Sequence, residues 1–358
     1  MNGLADSPTG GERWGCGTTS VADWSPWHER LHRQLRRHPQ RLPDGASLLL
    51  AVSGGQDSMV LLALMKGLQR LHNWSLHIWH GDHGWHTSSV NTAAELRDWC
   101  TIQGMTIVVD RAGSGQVVSE AAARRWRYRQ LAIAAAQLSQ EQPQQPCCHI
   151  LTGHTASDKA ETILLNLARG TDLAGLTSLL PERSLDAAQP NGPKLVRPLL
   201  DFSRKDTTTI SHDLALPVWP DPSNINPGFR RNCIRLEVLP VLESLYPGCS
   251  CRLARLANRL LHTHSTQTAL ALLALRTLQQ DEGLNRRSLA ALPINARCTV
   301  LAAWLRQHQV ANLNTKLLEE LVDALRPGAK AGSRDLREGW RICWQGNWVQ
   351  LHRGMQLN

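Results

Sequence analysis

Along the first half of the chain, apolar positions recur with a period that alternates between that of a strand and that of a helix. Residues 48–52 form a continuous apolar, β-leaning run, and after a polar turn Met59, Leu62 and Ala63 follow at helical spacing. The same succession predicts strands at 74–84, 105–110 and 147–153, and helices at 58–71, 90–104, 119–138 and 156–170. Ahead of them, residues 27–40 read as a basic amphipathic helix ended by Pro43-Asp44-Gly45. Strands alternating with helices at this spacing predict an α/β fold, a mostly parallel, Rossmann-like sheet with helices on both faces. Ligands in such sheets bind beyond the carboxyl ends of the strands. The polar segments 53–58, 80–87 and 153–161 each follow a strand and are therefore expected to meet in one crevice.

Residues 171–250 break the alternation, being less regular and richer in Pro and Arg. From about residue 251 the chain turns helical and basic, and 339–353 reads as a small β element. Tyr246-Pro247-Gly248 marks the boundary. Three parts result: a disordered leader at 1–22, the α/β part at 23–245, and a mainly helical extension at 246–358 with its β element at the end. The leader is rich in Gly, Ser and Thr and lacks the basic start and apolar core of a signal peptide.

Composition excludes some classes. No stretch approaches the roughly 18 apolar residues of a membrane span, so a membrane partner is not expected. The nine cysteines include no CxxC pair, which argues against a zinc or disulfide framework and fits a reducing cytoplasm. A formal charge of +9 points to a polyanionic partner. The 13 tryptophans far outnumber the two Phe and two Tyr; most are expected in the core, with Trp126 and Trp219 as candidates for stacking on a base.

The turn after the first strand reads Ser53-Gly54-Gly55-Gln56-Asp57-Ser58. A strand, a glycine turn and a helix start present backbone N–H groups to an anion. The lysine with which an ordinary P-loop holds the transferred phosphate is absent. A turn of this kind grips pyrophosphate through N–H groups and hydroxyls, and Asp57 is placed to hold magnesium. That suits chemistry at an α-phosphate, in which pyrophosphate leaves and a substrate is adenylated.

This hexapeptide resembles the pyrophosphate loop of the N-type ATP pyrophosphatases, the PP-loop superfamily. Further segments narrow the resemblance to tRNA(Ile)-lysidine synthetases: GHTASDKAET (153–162), AARRWRY (122–128), RPLL (197–200), DPSN (221–224) and RNCIR (231–235). They stand in the family's order and cover about 46–245 closely and 251–353 loosely. One position departs, since Ser157 stands where the family often has the first of two aspartates. The chain ends after one tRNA-binding extension, so the final domain of longer members is expected to be absent.

The resemblance implies an adenine nucleotide alpha hydrolase-like fold and a ligase that uses ATP, Mg2+ and free L-lysine. The wobble cytidine of an isoleucine tRNA would be adenylated at O2 with loss of pyrophosphate, and the lysine ε-amine would then displace AMP to give lysidine. Two rivals remain at this stage: a tRNA thiolase on the same fold, and a noncatalytic tRNA-binding protein. A homodimer is one candidate assembly.

Candidate residues follow. Ser53, Gly54, Gly55, Gln56, Asp57, Ser58, His83 and His154 are expected to hold ATP, with Asp57 and Asp158 as metal ligands. Asp57, Asp158 and Arg231 are the catalytic candidates. Arg124, Arg127, Glu161, Asn232 and Arg235 are expected to meet the substrates. Each has a plainer alternative. Asp158 lies three residues after Thr155 and could simply cap its helix, with Glu161 a solvated partner of Lys159. The arginines at 124–129 could form a solvated face, and Arg231 could brace the linker through Glu237 or a neighbouring acid. His154 could be a satisfied structural histidine. Arg252, Arg255 and Arg259 form a stripe suited to tRNA phosphates or to solvent. His77, His80, His83 and His86 recur every three residues, but in a strand that spacing sends side chains to opposite faces, so one zinc site is geometrically poor. The family's histidine-containing loop near the nucleotide suits Asp82 and His83 better.

Overall fold

The amphipathic segment near the start folds as α1 (Pro26–Arg36), which turns His28, Leu31 and Leu35 inward. In the computed structural model the described residues are 24–353 except 87, 114, 178, 187–188, 190–191, 226–227, 281–282 and 312, so the leader expectation at 1–22 lies outside them. The alternation then runs as read: β1 (Ser47–Ala51), α2 (Gln56–His72), β2 (Ser75–Asp82), α3 (Ser89–Ile102), β3 (Ile107–Arg111), α4 (Glu120–Glu141), β4 (His149–Thr152) and α5 (Ala156–Arg169). After these come α6 (Leu173–Leu176), β5 (Glu182–Ser184), β6 (Lys194–Val196), α7 (Arg204–Asp213) and α8 (Arg230–Cys233). A π-helical turn (Ile234–Val238), α9 (Leu239–Leu245) and the long α10 (Cys249–Leu278) follow.

The first six strands form one sheet in the order β3-β2-β1-β4-β6-β5. All neighbours are parallel except β5 and β6. Successive side chains of β1 leave opposite faces, and this explains the two cores. Leu48 and Leu50 pack with Leu61, Leu64, Leu96 and Ile210, whereas Leu49 packs with Trp126, Leu131 and Ala135 of α4. The chain runs outward from β1 to β3, then restarts on the other side of β1 with β4. That reversal is a switch point, where a crevice opens beyond the strand ends.

The described chain divides into two compact units, one of residues up to Glu161 with Leu179–Cys251, the other of Thr162–Ser178 with residues from Arg252. The second unit corrects the expectation of a mainly helical extension. Beside α10 it contains β7 (Gln279–Gln280), β8 (Gly283–Asn285), α11 (Arg286–Ala291), α12 (Ile294–Gln307), α13 (Thr315–Ala324), β9 (Gly332–Asp335), β10 (Trp340–Gln345) and β11 (Trp348–Arg353). The strands make a five-stranded antiparallel sheet, β7-β8-β11-β10-β9, whose Leu284, Ile342 and Val349 are buried against Leu301, Trp304 and Leu321. Strands as short and polar as Gln279–Gln280 and Gly332–Asp335 carry no readable alternation. Pairing with β10 and β11 defines them. No helix among the described residues is long and apolar enough to cross a membrane.

Candidate active site

The turn after β1 owes its shape to its glycines and to Ser58. Gly54 has φ +83°, and a Cβ there would stand 3.3 Å from the Trp219 ring. The Trp219 backbone N–H donates to the Gly54 carbonyl at 2.9 Å, laying the segment before DPSN over the turn. Ser58 is buried; its hydroxyl donates to the Gly55 carbonyl at 2.8 Å and accepts from the Ser53 N–H at 3.1 Å. Ser58 therefore braces the turn from within. Gln56 turns its amide toward α7, donating to Thr207 Oγ1 at 2.9 Å and Thr208 Oγ1 at 3.1 Å. Gly153, at the end of β4, must be glycine because a Cβ would lie 2.8 Å from the Asp57 carbonyl oxygen. Two of the three crevice segments are thus in backbone contact.

Asp57 opens α2 and faces α7. Thr207 Oγ1 donates to its Oδ1 at 2.5 Å and Arg204 Nη2 to its Oδ2 at 3.2 Å. Burial pushes its carboxyl above the ordinary value, only partly offset by Arg204, and the nearby Asp158 charge adds to the rise.

Asp158 divides its two oxygens between structure and site. Oδ2 caps α5, accepting from the Thr155 N–H at 2.7 Å and hydroxyl at 2.8 Å, while Oδ1 accepts from Arg231 Nη2 at 2.9 Å. Burial alone would raise its pKa, but Arg231, His154 and Arg204 override this and hold the carboxyl well below the usual range. Glu161 is fully buried rather than solvated. Its Oε2 accepts from Arg231 Nε at 2.7 Å and its Oε1 from Arg235 Nε at 2.7 Å, with Arg235 Nη2 adding a 3.0 Å contact. Arg231 thus takes Glu161 and Asp158 as its carboxylate partners, where the sequence left Glu237 or a neighbouring acid open. Asn232 is buried and donates to the Ser223 carbonyl at 2.9 Å, tying the RNCIR segment to DPSN.

A cavity of about 350 Å³ is lined by Ser53, Gly55, residues 79–86, His154, Asp158, Arg231, Asn232 and Arg235, whereas Asp57 and Glu161 stand behind these residues rather than in its lining. The three polar segments do meet there. On α4, Arg124 and Arg127 also line the cavity, while Arg125 and Arg129 are exposed. The cluster therefore splits between site and solvated face. Arg127 is pushed below its ordinary pKa by burial, with Arg124 and Arg231 acting the same way, and its Nε is buried without a partner. Across the cavity lining, Trp85 and Phe229 hold their rings 18° from parallel with centroids 6.1 Å apart. Trp126 is buried against Trp79 and meets His83 edge-on, a core role, whereas Trp219 lines the cavity.

His154 lies within 2.8 Å of Thr152 Oγ1 through Nδ1, and burial lowers its pKa to about 3 despite Asp158. His83 is lowered to about 4, by burial first and Arg127 second. His80 Nδ1 meets the Val52 carbonyl at 2.8 Å, and His86 lies 3.4 Å from Asp221. Among the described residues, no three His, Cys, Asp or Glu side chains are grouped to hold a metal by themselves.

His83 makes a pH prediction. The unfolded chain takes up a proton on this histidine below about pH 6.5, whereas the folded protein refuses it until about pH 4. Folding stability is therefore lost as pH falls through that window. His83→Gln is expected to make the decline shallower than in the unmodified protein. Urea unfolding at a series of pH values checks this; parallel curves for the two proteins refute it.

Arg204 and Thr207, which hold Asp57, are positions that sequence reasoning missed. Arg204 stands four residues beyond RPLL, in a segment with no charge pattern of its own, so its signal was only proximity to that motif. The Trp85–Phe229 pair was missed too, because the two residues come from segments far apart in the chain.

The PP-loop domain family matches residues 28–242 of this chain. A tRNA(Ile)-lysidine synthase of Parasynechococcus marenigrum is 55% identical over 92% of this chain and 95% of its own length. One from Prochlorococcus marinus is 44% identical over 92% and 96%. Among solved structures, a U34-tRNA thiolase from Methanococcus maripaludis, bearing a 4Fe–4S cluster, superposes with a TM-score of 0.50 at 18% identity, covering 65% of this chain and 79% of its own. At that identity the likeness concerns the fold alone.

Proposed function

This chain belongs to the tRNA(Ile)-lysidine synthase family, and we propose that the cavity of its first unit is where the family's reaction takes place. The chain is an ATP-dependent ligase that forms lysidine. The observation that carries the placement is the convergence of the pyrophosphate turn with Asp158, Arg231 and Arg235 on one cavity, the two arginines being held from behind by Glu161.

In this reading the ATP phosphates lie on the turn and on the positive start of α2, where N–H groups meet charge growing on the departing pyrophosphate. The cytidine O2 attacks the α-phosphate as the bond to pyrophosphate breaks. The lysine ε-amine then attacks carbon 2, and AMP leaves with the O2 oxygen. Asp158, kept ionised by its arginines, supplies a fixed negative charge toward the incoming ammonium. Its low pKa makes it a poor proton acceptor, so the amine's proton passes to water. Glu161 holds Arg231 and Arg235 in place, and Arg231 aims a guanidinium edge at the reacting groups. Arg124 and Arg127 lie where the tRNA's phosphates would enter.

Magnesium fits the donor set. Asp57 Oδ2 and Asp158 Oδ1 stand 3.2 and 3.8 Å from the same Arg204 nitrogen, so two hard oxygens already converge on a cation. Magnesium takes one or two carboxylates together with substrate phosphates. Asp57 and Asp158 would hold it, and when bound it neutralises charge on the phosphates. We place the reaction in the cytoplasm, with a wobble-cytidine isoleucine tRNA and free L-lysine as substrates.

The test is intact-mass analysis of that tRNA after incubation with ATP, magnesium and lysine. A mass gain that requires lysine is expected, and it should persist in a Cys148→Ser, Cys233→Ser variant. A product carrying sulfur, or a gain lost with the two thiols in a folded protein, overturns the proposal in favour of thiolation.

A further inference from the structure

Arg204 differs from the other arginines of the site in how it is held. Its backbone is fixed from several directions. The N–H donates to Ser157 Oγ at 3.1 Å, and Ser203 and Asp206 form a reciprocal cap around the start of α7. Gln56 bonds the hydroxyls of the same helix turn. Ser157 thus serves as the acceptor that seats α7.

The side chain is held far less firmly. Its contacts to the carboxylates come through one nitrogen, Nη2, at 3.2 Å from Asp57 and 3.8 Å from Asp158. Its Nε is shielded from solvent without a partner. The side chain is 36% exposed, against 21% for Arg231 and 17% for Arg235. Arg235 grips Glu161 with two nitrogens, the geometry that makes arginine–carboxylate pairs strong. Arg204 has a rigid base and a loosely tethered head, and the head stands between two carboxylates that would otherwise repel each other.

We propose that Arg204 is a placeholder cation: it occupies the position between Asp57 and Asp158 while no nucleotide is bound, and so keeps a divalent cation from settling there alone. The nucleotide's phosphates offer the guanidinium a new anionic partner, and its departure opens the two carboxylates to the metal that travels with the nucleotide. This rests on the reading that Asp57 and Asp158 hold that metal.

The test is titration of Mn2+ alone into the nucleotide-free full-length protein, with free Mn2+ read by electron paramagnetic resonance. Arg204→Met is expected to bind Mn2+ about tenfold tighter or more than the unmodified protein, because a full positive charge within about 4 Å is gone. Arg204→Lys, which keeps the charge, stays near the unmodified value. Adding Asp57→Asn to Arg204→Met should abolish the gain. If Arg204→Met does not fold, Arg204→Gln carries the same expectation, since it retains a donor toward Asp57 and the backbone bond to Ser157. Equal Mn2+ affinity in the folded Arg204 variant and the unmodified protein overturns the proposal. A gain that survives Asp57→Asn instead overturns the assignment of the metal to these carboxylates, so the two failures are distinguishable.

Discussion

Asp57→Asn is expected to lower the rate of pyrophosphate release by about 10²–10³, the usual cost of removing one electrostatic contact to a developing charge. The substitution keeps the shape of the side chain. Thr207 Oγ1 can still donate to the remaining oxygen, as it does now to Asp57 Oδ1 at 2.5 Å, so α2 and α7 stay joined. Burial already disfavours the charged form of Asp57, and losing that charge should not destabilise the fold. The effect belongs to the chemistry. Affinity for tRNA should therefore be unchanged while single-turnover pyrophosphate release falls. Release at the unmodified rate would remove Asp57 from the reaction, and a parallel fall in stability would reassign it to packing.

Periodicity made the first unit legible from β1 to α5 because short apolar strands there alternate with long helices, each with its own pattern. The run at 48–52 became β1 with its alternate residues in two cores, a division that a parallel sheet covered on both faces requires. The motif segments were legible for a different reason. The turn, the start of α5 and RNCIR carry chemistry in neighbouring residues, and a strand-end position brings them together whatever the rest of the chain does. Of the second unit's sheet only the element at 339–353 was legible, and it is β10 with β11; the two residues of β7 or the four of β9 are strands only through their partners. Arg204 was hidden similarly. Nothing in its own neighbourhood marks it, and its meaning comes from Asp57, 147 positions earlier in the chain. Asp158 shows the limit of choosing between a cap and a catalytic group. The two readings competed in the sequence, yet one carboxylate has two oxygens: Oδ2 caps the helix and leaves Oδ1 to Arg231 at the cavity.

Glu161→Gln is expected to destabilise the fold by about 3–5 kcal/mol, the cost of breaking a buried ion pair from one side. Glu161 is fully buried and accepts three N–H contacts from Arg231 and Arg235. Both guanidinium groups are raised above their ordinary pKa: burial opposes this, but Asp158 leads the opposing charges at Arg231, and the hydrogen bond to Glu161 leads at Arg235. They cannot escape by losing a proton. Glutamine has the same size but replaces one acceptor oxygen with a donor NH2 that must face another donor. Asp158 remains, yet its Oδ2 is committed to Thr155 and its Oδ1 already meets Arg231. One carboxylate oxygen cannot neutralise two half-buried cations. A double variant, Glu161→Gln with Arg231→Met, should lose less than the sum of the single losses, because each single change strands a charge that the other removes. Urea unfolding of the three variants measures both quantities. A single-variant loss under about 1 kcal/mol, the ordinary worth of an exposed pair, would mean that the network is open to water, and Asp158 would then lose the dry surroundings on which its role depends.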